Sequence, residues 1–233
     1  MDTSSYGSSR VAVQRAGWLA VLVAGWVLAL CGGGWAAEQT GSAAAPVKIA
    51  VLGDSLTAGF GLPLEATFPV RLAQALKAKG LAVEVIDAGV SGDTASGGRD
   101  RLDWSVPEGT EAVIVELGAN DALRGLDPAV TRAALEAILV RLKARNISVL
   151  LCGMLAPRNL GPDYGARFDA IYLELAQRFG VALYPFFLEG VAADSVLNQR
   201  DGLHPTAAGV EAIVARILPR AEDLVAEALR RRG

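Results

Sequence analysis

Short apolar runs and longer amphipathic stretches alternate along most of this chain. Runs rich in β-branched residues lie at 47–52, 82–87, 112–117, 148–152 and 181–186, each about the length of a buried strand. Between them, 65–79, 128–145 and 164–179 place apolar residues at helical spacing, and 98–104 does so more briefly. A last helical stretch spans 206–231, with Pro219 inside it predicting a bend or an interruption. Gly80 and Gly180 stand where helix C-caps belong, and Asp127-Pro128 reads as a cap followed by the first helical residue. Such alternation predicts an α/β fold: a three-layer α/β/α sandwich on a five-stranded parallel sheet, flavodoxin-like, in strand order 2-1-3-4-5. No internal repeat and no second domain breaks the pattern.

The first 36 residues stand outside it. Arg10 and Arg15 precede an apolar segment from Ala16 to Leu30, and small residues follow up to Ala36. A basic start, a short apolar core and a small-residue end make a secretory signal peptide. Cleavage after Ala36 puts Gly34 and Ala36 at the −3 and −1 positions. A lipoprotein leader anchored at Cys31 is the rival, disfavoured because bulky Leu30 precedes the cysteine. Residues 37–46 then read as a flexible leader, and 47–233 as the domain. Removing the leader moves the net charge from −3 to −4, since it carries two arginines and one aspartate. That mildly acidic balance argues against nucleic acid as a partner. Of the two cysteines only Cys152 remains, so no internal disulfide holds the domain.

The candidate chemistry lies in loops that follow strands. Gly53-Asp54-Ser55-Leu56 follows the first, Gly89-Val90-Ser91-Gly92-Asp93-Thr94 the second, and Gly118-Ala119-Asn120-Asp121 the third. Asp201-Gly202-Leu203-His204 comes after a connection of residues 188–206 beyond the fifth. Parallel strands deliver all these loops to one sheet edge, where open α/β sheets bind ligands. At roughly 4.8 Å between strands, Ser55, Gly92 and Asn120 fall within about 10 Å of one another. A serine in such a turn also serves as a turn former or helix cap.

His204 is the only histidine in the chain. Asp201, three residues earlier, can fix its tautomer, leaving the other ring nitrogen to take a proton from Ser55. Such a base works when neutral, so the rate should rise with pH as the imidazole loses its proton. Acyl transfer also needs donors for an oxyanion. The N–H groups of Ser55 and Gly92 and the side-chain amide of Asn120 are the candidates. One histidine cannot supply a typical zinc site, so no metal and no cofactor is expected. The pentapeptide Gly-x-Ser-x-Gly of ordinary α/β-hydrolases is missing.

With these four blocks in this order, the chain resembles a GDSL hydrolase of the SGNH superfamily, of the TesA-like periplasmic esterase type (arylesterase, acyl-CoA thioesterase, lysophospholipase). The resemblance implies Ser55 as nucleophile, His204 as base, Asp201 as its partner, and Ser55, Gly92 and Asn120 as the oxyanion hole. Ala119 stands where many relatives have glycine, and Phe60 where many have tyrosine. The substrate is then a small-molecule acyl ester or thioester, and the enzyme a periplasmic monomer. Candidates for the acyl groove are Leu62, Leu64 and Phe68, with Leu155, Pro157 and Leu160 in the 155–163 loop. A carbohydrate O-acetyl esterase is the alternative within the superfamily. A non-catalytic flavodoxin-like module, using the glycine-rich 89–98 loop for an anion, is the alternative outside it. The C-terminal run Arg230-Arg231-Arg232 raises a lipid surface as a possible partner, although arginines there also suit a helix C-terminus.

Overall fold

The computed structural model describes residues 45–232. The signal peptide, its cleavage site and Cys31 lie outside the described residues. Five strands, β1 (Val47–Gly53), β2 (Val83–Gly89), β3 (Ala112–Glu116), β4 (Ser148–Cys152) and β5 (Ala182–Tyr184), form one sheet. All pairs are parallel and the order is β2-β1-β3-β4-β5, as the alternation predicted. Every residue of β3 and β4, and all of β1 except Lys48, is buried. Helices on both faces of a parallel sheet leave its central strands no exposed side, hence their near-continuous apolar runs.

The helices are α1 (Ser55–Ala58), α2 (Phe68–Ala78), α3 (Ala95–Asp100), α4 (Leu102–Ser105), α5 (Ala119–Leu123), α6 (Pro128–Ala144), α7 (Pro162–Phe179) and α8 (Ala207–Arg232). α2 packs on α8 over one face of the sheet, while α3, α6 and α7 pack in a row over the other. Phe68 against Phe187 and Phe168 against Tyr172 anchor the two apolar layers.

Three local expectations change. The stretch read as one helix over 98–104 is two short ones, α3 and α4, because Thr94 caps the chain earlier by accepting from the Gly97 N–H. α8 runs uninterrupted through Pro219. The carbonyl that loses its donor there belongs to Ala215, and both residues face solvent, so water can replace the missing bond. β5 stops at Tyr184 instead of 186, since Pro185 has no N–H for a ladder.

The register aligns the strand ends that matter. Gly89, Gly53, Glu116, Cys152 and Tyr184 form one row across the C-terminal edge of the sheet. The loops carrying the candidate residues rise from this row.

Candidate active site

Ser55 is the first residue of α1, and Asp54 caps that helix, its Oδ1 accepting from the Leu56 N–H at 3.0 Å. The serine therefore does not cap; it stands at the start of the helix, nearly buried. Gly53 before it has no room for a side chain, because a Cβ would lie 2.3 Å from Thr57 Oγ1 and 2.8 Å from Glu116 Oε2.

His204 arrives on the long connection after β5. Its Nε2 lies 3.0 Å from Ser55 Oγ, and its Nδ1 lies 2.7 Å from Asp201 Oδ2. The other Asp201 oxygen accepts from the backbone N–H groups of Leu203 and His204 at 2.9 and 3.0 Å. Those two N–H bonds, with the His204 ring, pull the Asp201 pKa down to about 2. An aspartate ionised at neutral pH accepts the Nδ1 proton, which leaves Nε2 as the acceptor facing the serine hydroxyl. Phe60 lies against the imidazole with ring centroids 4.6 Å apart. Packing of this kind limits the ring's rotation, a role the residue read only as a departure from tyrosine had not suggested.

Asn120 sits on α5, and its Nδ2 donates to Asp54 Oδ2 at 3.0 Å and to the Asp93 carbonyl at 2.9 Å. Gly92 adopts a left-handed backbone, φ 81°, which favours glycine. The Gly92 carbonyl accepts from Arg124 at 2.8 Å, and neither its N–H nor that of Ser55 has a partner among the described residues. Arg101 ties the loops from below, donating to the carbonyls of Gly53 and Ala88 and to Asp93 Oδ2 at 2.7–2.8 Å. Burial raises the Asp54 pKa to about 6, against the opposing bonds from Leu56 and Asn120. Among the described residues, no three His, Cys, Asp or Glu side chains group to hold a metal ion.

Beside Ser55 and His204 opens an apolar cavity of about 680 Å³. Of the residues expected at an acyl groove, Leu155 and Pro157 line this cavity. Leu62, Leu64, Phe68 and Leu160 do not. Phe68 is fully buried in the core, Leu62 packs on that core from its edge, and Leu64 is turned to solvent. The walls instead come from Leu123, Met154, Phe186, Leu188, Ala193 and Leu203, with Ala119 beside Asn120. Leu123 and Leu203 were within reach of sequence reasoning, each sitting inside a block that carries a candidate site residue. Leu188 and Ala193 lie on an irregular connection, which has no periodicity to betray an inward side. Against the anion-cradle reading of 89–98, the N–H groups of Ala95 and Gly97 at the start of α3 already donate to Asp121 Oδ2 and Thr94 Oγ1.

Residues 51–212 match the model of the GDSL-like lipase/acylhydrolase family. The chain belongs to that family. Esterase TesA of Pseudomonas aeruginosa is 36% identical over 183 residues, 78% of this chain and 91% of that protein. The thioesterase 1/protease 1/lysophospholipase L1 of Escherichia coli is 40% identical over 164 residues, 70% of this chain and 77% of that one. Among solved structures, AlinE4, an SGNH-hydrolase family esterase, superposes with a TM-score of 0.65 at 45% identity, covering 76% of this chain and 96% of its own. This member of the family is a carboxylic ester hydrolase on an SGNH fold.

Proposed function

We propose that the protein hydrolyses acyl and aryl esters, and thioesters of similar acyl groups, through a serine acyl-enzyme. One observation carries the reading: the unbroken contact chain from Asp201 through His204 to Ser55, at 2.7 and 3.0 Å. Ser55 Oγ attacks the acyl carbonyl while its proton passes to His204 Nε2, and Asp201 stabilises the imidazolium that forms. The tetrahedral oxyanion takes the N–H groups of Ser55 and Gly92 and the amide of Asn120. His204 then protonates the departing oxygen or sulfur, and a water activated by the same imidazole releases the acid.

The apolar cavity supports an acyl chain longer than acetyl as the bound group, consistent with an arylesterase, thioesterase or lysophospholipase substrate class. A carbohydrate O-acetyl esterase would leave most of that volume empty. Relative rates on acetylated sugar and on medium-chain acyl esters separate the two. Lipid substrates would enter as single molecules through this cavity. Two of the three C-terminal arginines are engaged elsewhere: Arg231 with Glu227 and Asn146, Arg232 with Glu111 and the carbonyls of Ala45 and Pro46. The leader of residues 1–36 supports export to the periplasm, and N-terminal sequencing of the mature protein should begin at Ala37.

The test of the reaction is hydrolysis of p-nitrophenyl butyrate by wild type and by Ser55→Ala. The variant should retain less than about one part in a thousand of the wild-type kcat. A variant as fast as wild type would refute the serine mechanism.

A further inference from the structure

Glu116 is the charged-type residue in the row of strand ends, fully buried at the last position of β3. Nothing in the reaction above uses it. A buried carboxyl is expensive to keep, and a leucine would fill the same place at no electrostatic cost. Its Oε1 has no hydrogen-bond partner among the described residues, and such a group asks for an explanation.

A role for the other carboxyl oxygen lies at the Gly53–Asp54 peptide, just ahead of Ser55. Glu116 Oε2 accepts from the Asp54 N–H at 3.3 Å. The carbonyl of the same Gly53–Asp54 peptide accepts from Arg101 at 2.8 Å. One peptide plane is thus held at its nitrogen by a buried carboxyl and at its oxygen by a largely buried guanidinium. The missing side chain of Gly53 makes the slot, since any Cβ there would meet Glu116 Oε2. From this peptide the Asp54 side chain rises to hold the Asn120 amide.

We propose that Glu116 is a positioning residue of the oxyanion hole: it fixes the Asp54 backbone and, through the Asp54 carboxylate, the direction of the Asn120 amide. This rests on the reading of Asn120 as an oxyanion donor. Burial, and after it the nearby Asp54 charge, raises the Glu116 pKa well above the usual glutamate range, which favours the neutral form of the side chain. A neutral amide of the same shape keeps an acceptor oxygen for the Asp54 N–H and should substitute for it.

The experiment is a double-mutant cycle of Glu116→Leu with Asn120→Ala, read as kcat and KM on p-nitrophenyl butyrate, with Glu116→Gln as the conservative rescue. Loss of the Asn120 donor should lower kcat about 100-fold. Glu116→Leu alone should lower kcat by about 10- to 30-fold with KM changed less than about 3-fold, and by less than about 3-fold once Asn120 is already alanine. Glu116→Gln should stay within about 5-fold of wild type. Equal losses from Glu116→Leu in both backgrounds would overturn the proposal. So would a more than tenfold loss of kcat in a folded Glu116→Gln, a measurement that stands even where the leucine variant does not fold. Should Asn120→Ala leave kcat unchanged, the oxyanion-hole reading itself falls, a different failure from additivity in the cycle.

Discussion

The Asn120 amide is oriented by Asp54: its nitrogen lies 3.0 Å from Asp54 Oδ2, and the same aspartate caps the helix that begins at Ser55. One carboxylate therefore sets the position of two elements of the site. The second Asn120 hydrogen rests on the Asp93 carbonyl, so the proposed oxyanion would have to share or displace that contact. Replacing Asp54 by alanine removes both the cap and the acceptor that keeps the amide nitrogen, not its oxygen, turned inward. A kcat loss of about 10- to 100-fold with KM little changed is expected. A loss carried mainly by KM would point to a substrate-binding role instead.

Asp201 is expected to show itself in both rate and acid stability. With asparagine in its place the imidazole loses the carboxylate that selects its tautomer, and kcat should fall by about 10²- to 10⁴-fold. Its pKa, about 2 in the folded protein, is depressed below the usual aspartate value. The stability it contributes is therefore complete above about pH 4 and disappears as pH falls toward 2. Urea unfolding between pH 5 and pH 2 should show a steeper loss for wild type than for Asp201→Asn. Parallel curves would contradict the linkage.

The cavity walls should set acyl preference. Leu123 and Leu155 line it yet remain partly exposed, so truncation should spare the fold. Alanine at either position removes apolar contact worth about 1–2 kcal/mol to a chain that reaches it. The ratio of kcat/KM for octanoyl over acetyl p-nitrophenyl esters should drop about 5- to 30-fold. An unchanged ratio would place the acyl chain elsewhere.

Glu116 also predicts a slope in stability. Its folded pKa lies well above the usual glutamate range, so the folded protein holds a proton that the unfolded chain releases. Wild-type stability should then decline as pH rises from about 5 to 8, by up to about 1.4 kcal/mol per unit from this group. Glu116→Gln removes that contribution, and its stability relative to wild type should climb over the same range. Chemical denaturation at pH 5 and pH 8 checks it; a constant difference would mean the carboxyl is not held neutral.

Much of this was legible in the sequence because each feature had a local cause. Buried parallel strands have no polar face, so β1, β3 and β4 stood out as apolar runs, and helices between them forced the parallel order. The blocks around Ser55, Gly92, Asn120 and His204 follow strands or a long connection, and the sheet brings them to one edge. Glu116 escaped notice because one acid at the end of an apolar run looks like the point where a strand reaches water. Only the register, which seats it beside glycine at position 53, reveals that it stays inside. The cavity beside Ser55 was not legible for a related reason: Phe68 and Leu62 serve the core, while much of the cavity wall comes from irregular segments whose inward residues no periodicity marks.

The most direct measurement is covalent labelling by a fluorophosphonate, followed by peptide mass spectrometry. One adduct is expected, on Ser55, formed rapidly by wild type and at least about 100-fold more slowly by His204→Ala. No adduct, or an adduct on another serine with Ser55 unmodified, would contradict it.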